Sequence, residues 1–210
     1  MISLLLQQAG RPRVLRLLPG LALLFACVFA AASAGCLPPV SLDLLLQSAL
    51  EQTHLTRVYD PSYVKLAYPG GDVPIERGVC TDVVVRAFRA AGIDLQKLVH
   101  EDMARHFDRY PRRWGLKRPD PNIDHRRVPN LETFFTRHGM RHADLSAGSF
   151  RKGDLVVWRL PGGLPHIGIV AGDPLPTGHP PCIHNVGAGT RLEDVLTAWP
   201  ITGHYRYPYK

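Results

Sequence analysis

The spacing of the hydrophobic residues changes part-way along this chain. Between residues 41 and 138, apolar side chains recur at three- and four-residue steps, which is typical of amphipathic helices. We predict helices over residues 41–54, 79–91, 94–107 and 130–138. From Lys152 onward, short β-like segments are separated by Gly- and Pro-containing turns, which predicts an antiparallel meander and a closing strand near the end. Helices first and strands second predict an α+β fold.

The first 34 residues have the composition of a secretory signal peptide. Arg11, Arg13 and Arg16 precede an apolar run over residues 17–32, and Ala32-Ser33-Ala34 offers the small residues of a cleavage site. We therefore assign residues 1–34 to a signal peptide and residues 35–210 to a single domain. The expected location is the periplasm or the cell exterior.

Cys36 leaves a second export route open. Ala34-Gly35-Cys36 resembles the end of a bacterial lipobox, although Ser33 stands where an aliphatic residue is usual. If Cys36 is lipidated, the protein becomes a membrane-anchored lipoprotein. Contact with a membrane is expected only in that case.

The charge of the chain gives little indication of a nucleic-acid partner. Removal of the three leader arginines lowers the formal net charge from +7 to +4. The remaining basic residues concentrate in the middle third of the chain, which suits either an anionic envelope polymer or a plain solvated surface. No nucleic acid is expected.

Cys80 stands at the start of the second predicted helix. Only a thiolate attacks, and the unpaired N–H groups and positive dipole end of a helix N-terminus lower a cysteine pKa. The sequence therefore predicts an activated thiol. Two alternatives remain open: Cys80 is an inert buried residue, or it forms a disulfide with Cys182.

His166 and His184 lie on successive predicted strands after Cys80. A thiol followed by two imidazoles in this order suggests a cysteine nucleophile with a histidine base. Strand alternation places His184 and Asn185 on opposite faces, and only one of them can face His166. We favour His184 and keep Asn185 as the alternative third residue. The same three side chains could bind zinc, but the spacing of short zinc-ligand pairs is missing, so we predict neither metal nor cofactor.

Two resemblances follow from these motifs. The order of Cys80, Pro165-His166-Ile167-Gly168-Ile169-Val170 and Ile183-His184 resembles the NlpC-type branch of the papain-like cysteine peptidases, which are bacterial cell-wall hydrolases. An uncharacterised bacterial family of YijF-like proteins, known as a domain of unknown function, is similar over nearly the whole mature chain. Its segments are Arg77-Gly78-Val79-Cys80-Thr81-Asp82, Asp120-Pro121-Asn122-Ile123-Asp124-His125-Arg126-Arg127, Gly153-Asp154 and Ile201-Thr202-Gly203-His204-Tyr205-Arg206.

The NlpC-type resemblance implies a papain-like fold, with the nucleophile at a helix N-terminus and a C-terminal antiparallel sheet. It implies Cys80 as nucleophile, His166 as general base and His184 as the residue that orients His166. The Tyr68-Pro69-Gly70-Gly71 loop is similar to the stretch before the nucleophile in that branch, so Tyr68 is a candidate oxyanion donor with the Cys80 N–H. The segment 120–127 departs from that branch and could be a lid, a substrate clamp or a hydrogen-bonded loop.

The sequence thus predicts an exported cysteine hydrolase that cleaves an amide bond through an acyl-enzyme. Peptidoglycan stem peptides are the expected substrate, and peptidoglycan or another envelope polymer is the expected partner. Acyl transfer or hydrolysis of a lipid, ester or thioester by the same thiol is one alternative. A non-catalytic envelope-binding module is the other.

Overall fold

The computed structural model describes residues 38–210, so the predicted leader and Cys36 lie outside the described residues. Within residues 38–210, four α-helices span Leu42–Leu55 (α1), Cys80–Ala90 (α2), Leu95–Arg105 (α3) and Val128–Arg137 (α4). No helix in this part of the chain combines the length and the apolar character needed to cross a bilayer.

Polar side chains begin two of these helices. The Ser41 hydroxyl accepts the N–H of Leu44 at the start of α1, and the Asp94 carboxylate accepts the N–H of Gln96 at the start of α3. Such caps satisfy N–H groups that have no partner inside the helix. The sequence predicted both helices to within one or two residues, including the Asp94 cap.

A five-stranded antiparallel sheet forms the second half of the domain. Its strands are Leu155–Arg159 (β3), Pro165–Val170 (β4), Cys182–Asn185 (β5), Thr190–Glu193 (β6) and Ile201–Tyr205 (β7), in the spatial order β6-β5-β4-β3-β7. Strands β3, β4 and β5 form the predicted meander, β6 extends it, and β7 returns to pair with β3. A separate parallel pair, Val58–Tyr59 (β1) with Arg77–Gly78 (β2), immediately precedes α2.

The two faces of the large sheet bury different cores. Ile167, Ile169 and Ile183 belong to the main core with α1, α2 and α4. On the opposite face, Trp158 and Cys182 pack in a smaller core with Phe150 and Leu196. Because side chains alternate along a strand, neighbouring residues of β4 and β5 face different cores.

The predicted α+β fold is confirmed, with helices preceding the antiparallel sheet along the chain. Sequence analysis missed β6 because its four residues contain only one large apolar side chain, Leu192, which is half exposed at the sheet edge. An edge strand of this kind has a weak hydrophobic pattern.

Candidate functional site

A carboxylate positions Cys80 at the first turn of α2. The preceding residue, Val79, has no polar side chain to act as a cap. Instead, Asp82 accepts the Val79 N–H at 2.7 Å through its Oδ2 atom. This contact is the reverse half of a capping box and places a negative charge in the first turn, where the helix dipole favours it.

Arg126 anchors the same turn from the segment whose role the sequence left open. Its Nε and Nη2 atoms donate to the two carboxylate oxygens of Asp82, both at 2.9 Å, and both side chains are buried. Its guanidinium also donates to the carbonyls of Ser62 and Asp60. Segment 120–127 thus contributes a hydrogen-bonded loop that holds the start of α2.

A second buried arginine organises the loop that leads into Cys80. Arg86 lies within α2 and makes a two-point contact with Asp72, at 2.8 and 3.1 Å. Its Nη2 atom also donates to the carbonyls of Val73, Pro74 and Arg77. Because one guanidinium satisfies several carbonyls, the irregular approach to Cys80 is held in one conformation.

Three backbone N–H groups surround the Cys80 sulfur, yet burial dominates its ionisation. The N–H groups of Ile167, Thr81 and Cys80 itself all favour the thiolate. Burial outweighs them and, with a smaller effect of the nearby Asp82 carboxylate, raises the Cys80 pKa to about 11. The prediction that the helix terminus would give Cys80 a lowered pKa is therefore wrong for this structure, because desolvation of the thiolate is the larger effect.

The thiol lies where β4 and β5 separate. Pairing between these strands is limited to Ile169–Ile183 and Val170–Cys182. The N–H of Ala171 points towards the β5 side, where it donates to Pro181, and N–H groups alternate along a strand. The N–H of Ile167 therefore points the same way, into the opening beyond the last pair, and this N–H acts to lower the pKa of the Cys80 thiol.

His166 and His184 meet across this opening. Nε2 of His166 lies 2.9 Å from Nδ1 of His184, and Nε2 of His184 lies 3.0 Å from a carboxylate oxygen of Glu193 on β6. If neutral His184 donates to Glu193 through Nε2, its Nδ1 must accept from His166. His166 is then protonated at Nε2, and its basic lone pair is on Nδ1.

Both histidines favour the neutral form. Burial, with a smaller effect of the neighbouring His184, lowers the His166 pKa to about 3. Burial also lowers the His184 pKa, although Glu193 acts in the opposite direction. The His166 ring stacks on Trp158 with centroids 5.5 Å apart, and Trp199 packs edge-on to both imidazoles. At neutral pH the site therefore contains a thiol and neutral imidazoles.

The structure does not join Cys80 directly to this histidine pair. Within residues 38–210, Cys80 makes no hydrogen bond to His166 or His184. Strand alternation explains the separation: Ile167 faces Cys80 and the helices, whereas His166 faces Trp158. Cys80 and His166 flank the same strand opening without forming an ion pair.

The remaining candidate residues occupy other positions. The amide of Asn185 donates to the carbonyl of Gly78, on the helix side of the sheet and away from His166. Cys182 is a free buried thiol in the smaller core, whereas Cys80, also free, belongs to the main core. The structure thus holds no Cys80–Cys182 disulfide.

The sequence suggested Tyr68 beside the thiol, but Tyr59 is the tyrosine whose pKa responds to Cys80. The Tyr68 ring packs edge-on against His100 of α3, with centroids 5.1 Å apart. Tyr59 lies near the thiol: burial raises the Tyr59 pKa, and the Cys80 and Asp82 charges raise it further. Pairing of β1 with β2 brings Tyr59 opposite Gly78, two residues before Cys80.

Sequence analysis missed Glu193 as well as Tyr59. Glu193 pairs with Cys182 in the β5–β6 register, which puts it on the same face as His184 and diagonal to it. The signal available in the sequence was the alternation of Thr190, Arg191, Leu192 and Glu193. That alternation becomes informative only once the hairpin register is known.

Comparison with known proteins identifies the family. Residues 46–207 match the profile of a domain of unknown function, DUF1287. The chain belongs to the DUF1287 family. An uncharacterised protein of Escherichia coli (strain K12), YijF, is 57% identical over 164 residues, which cover 78% of this chain and 80% of YijF. The predicted YijF-like membership is thus confirmed, and the match to DUF1287 spans every residue of the site described above.

Proposed function

We propose that this protein is an exported cysteine hydrolase with a papain-like, NlpC-type mechanism. Cys80 attacks a carbonyl carbon, His166 takes the thiol proton, and the imidazolium then protonates the leaving amine. Water hydrolyses the resulting thioester and regenerates the thiol. His184 and Glu193 hold the His166 ring and stabilise its charged form during the reaction.

The observation that carries this proposal is the Glu193–His184–His166 chain beside the Cys80 opening. Its two contacts of 3.0 and 2.9 Å leave Nδ1 of His166 as the base when neutral His184 donates to Glu193. The N–H of Ile167, the residue next to His166, favours the Cys80 thiolate. The proposed base and its orienting group lie on neighbouring strands of the sheet, and the proposed nucleophile begins the helix packed against that sheet.

The pKa values favour concerted proton transfer over a resting ion pair. A thiol with a pKa of about 11 does not protonate an imidazole with a pKa of about 3 before substrate arrives. In the proposed reaction the proton moves from the thiol to His166 as the carbon–sulfur bond forms. Catalytic hydrogen bonds commonly tighten only in the substrate complex.

The oxyanion requires donors beside the thiol. The Cys80 N–H lies in the first turn of α2, where it has no partner within the helix. Tyr59 is the tyrosine that interacts electrostatically with Cys80, so we assign the second donor to its hydroxyl, in place of Tyr68. The proposed substrate is an amide bond of peptidoglycan stem peptides, supported by the NlpC-type motif order and the signal-like leader.

The test compares purified peptidoglycan digested by the native protein and by three variants. Cys80→Ala and His166→Ala should each abolish the release of soluble peptides, while Cys182→Ala, which alters a thiol in the other core, should retain it. Thermal melting of each variant checks that the fold survives. Hydrolysis retained by folded Cys80→Ala would exclude the proposed mechanism.

A non-catalytic envelope-binding module is the second candidate, and the burial of Cys80 favours it. The residue is 5% exposed and its thiol is protonated at neutral pH. In that case a chloroacetamide probe should fail to label Cys80 in the folded protein even with peptidoglycan present. Labelling of Cys80 that increases on addition of peptidoglycan would favour the hydrolase.

A further inference from the structure

Three arginines from separate parts of the chain surround Glu132 of α4. Arg113 lies between α3 and α4, Arg141 follows α4, and Arg159 ends β3. All three line one open cleft of about 430 Å³, together with Glu132. A carboxylate oxygen of Glu132 lies over Gly203 of β7, where an added Cβ atom would come within 3.4 Å of it. Burial raises the Glu132 pKa, whereas the charges of all three arginines act to lower it, so the three guanidinium groups lie close to one carboxyl group.

Strand register explains why two of these arginines converge on this carboxylate. Gly203 pairs with Val157 of β3, and Arg159, two residues further along β3, faces the same side of the sheet. At the other edge of β7, Arg141 pairs with Tyr205, which is two residues from Gly203 and faces that side as well. The two arginines therefore stand on either side of β7, with the carboxylate between them.

The positive charge of this cleft exceeds what one carboxylate compensates. Within residues 38–210, none of the three guanidinium groups makes a hydrogen bond or a close ion pair, so three positive charges face one negative charge. Arg109 and Arg137 also line the cleft, but each forms an ion pair with an aspartate outside it. Arg113 and Arg141 are exposed, and Arg159 is half-buried, so an anion in the cleft can reach all three. The cleft is complementary to an added anion.

We propose that this cleft binds a phosphate group, carried either by a small phosphate ester or by a lipid headgroup. A phosphate monoester presents three acceptor oxygens in a tetrahedral arrangement, so guanidinium groups that approach from different sides can each donate to it. A carboxylate has only two acceptor oxygens in one plane and one negative charge. Binding here does not need Cys80, so the site goes beyond the proposed hydrolase.

Calorimetry on the full chain measures the binding of inorganic phosphate, with acetate as the carboxylate probe. Phosphate should bind at least about tenfold more tightly than acetate, and Arg141→Gln and Arg159→Gln should each weaken phosphate binding about tenfold, because each removes a charged donor. Glu132→Gln should instead strengthen phosphate binding severalfold, because it removes the negative charge of the cleft. Arg57→Gln, which changes an exposed arginine outside this cleft, is the matched control and should leave binding unchanged.

Sedimentation with vesicles distinguishes the two sources of phosphate. Phosphatidylcholine vesicles containing phosphatidic acid are compared with vesicles of phosphatidylcholine alone. Retention on the phosphatidic acid vesicles that both arginine variants reduce would support a lipid headgroup, whereas arginine-dependent phosphate binding without such retention would support a small phosphate ester. Thermal melting checks that each variant is folded. Equal affinity for phosphate and acetate, weaker phosphate binding by folded Glu132→Gln, or insensitivity of both assays to Arg141→Gln and Arg159→Gln would overturn the proposal.

Discussion

At the scale of single residues, the described structure separates the parts of a thiol site that the sequence placed together. Cys80 is held by backbone N–H groups on one face of the sheet, whereas His166 receives its orientation on the other. Glu193 completes the histidine chain from an edge strand. The chemistry of each residue is therefore determined by its burial and partners, and two predictions test this.

Replacement of Glu193 by Gln tests its role as a positioning residue. The carboxylate raises the pKa of His184, so its loss should shift the acid limb of the kcat–pH profile to lower pH. We expect kcat to fall by about tenfold or more, a fraction of the ~10²–10⁴ that general base catalysis contributes. Asp194→Asn, which changes an exposed neighbouring carboxylate, is the control. Identical kcat–pH profiles for the two variants would show that Glu193 does not position the histidine pair.

The burial of His166 predicts a stability that depends on pH. Its pKa in the folded protein is about 3, whereas an unfolded histidine titrates near 6.5. As pH falls below about 6.5 the unfolded state binds the proton first, so the free energy of unfolding should decrease by up to about 1.4 kcal/mol per pH unit from this group. Stability is retained above that pH.

Urea denaturation at pH 7, 6 and 5 checks this expectation. The pH dependence should be shallower in His166→Gln than in the native protein, and unchanged in His54→Gln, which alters an exposed histidine of α1. A native slope equal to that of His166→Gln would show that His166 titrates normally in the folded state.

At the scale of elements, the start of α2 depends on a loop distant in sequence. Arg126 follows Asp82 by 44 residues, and the buried pair also fixes the carbonyls of residues 60 and 62. A local cap alone would leave this turn weaker, because Val79 provides no side-chain acceptor. The element that positions the thiol is thus stabilised by tertiary contacts.

Arg126→Met should therefore destabilise the protein by about 3–5 kcal/mol, because it leaves the Asp82 carboxylate buried without its partner. Arg77→Met breaks a more exposed pair with Asp60 and should cost about 0–1 kcal/mol. Free energies from chemical denaturation compare the two. Equal small losses would show that the buried pair does not anchor α2.

At the scale of the whole molecule, one core joins the helices to the end of the chain. Phe88 of α2 is fully buried, and its ring lies 5.0 Å from that of Tyr207 and 6.1 Å from that of Phe135. The C-terminal segment after β7 is thereby packed against the helix that carries Cys80. Unfolding of residues 38–210 should then be a single cooperative transition.

Phe88→Ala should lower the free energy of unfolding by about 3–5 kcal/mol, the usual cost of removing a buried ring. Leu164→Ala, at a side chain that is 64% exposed, should change it by less than about 0.5 kcal/mol. Far- and near-ultraviolet circular dichroism should report the same midpoint for each protein. Separate midpoints would contradict a single cooperative transition.

The sequence by itself determined the order of helices and strands, the Asp94 cap, the position of Cys80 in the first turn of a helix and the YijF-like family. These follow from hydrophobic period, turn residues and local motifs, which act over a few neighbouring positions. Alternation along the strand also predicted that only one of His184 and Asn185 would face His166, and the favoured His184 is the one that does.

Only the tertiary structure decided the ionisation of Cys80, the contacts of Glu193 and Tyr59, and the anchoring of α2 by Arg126. Each depends on groups brought together from distant parts of the chain: strand register for Glu193, the β1–β2 pair for Tyr59, and a loop for Arg126. Burial is likewise a property of the packed molecule, and it reverses the pKa shift that a helix terminus alone would give Cys80.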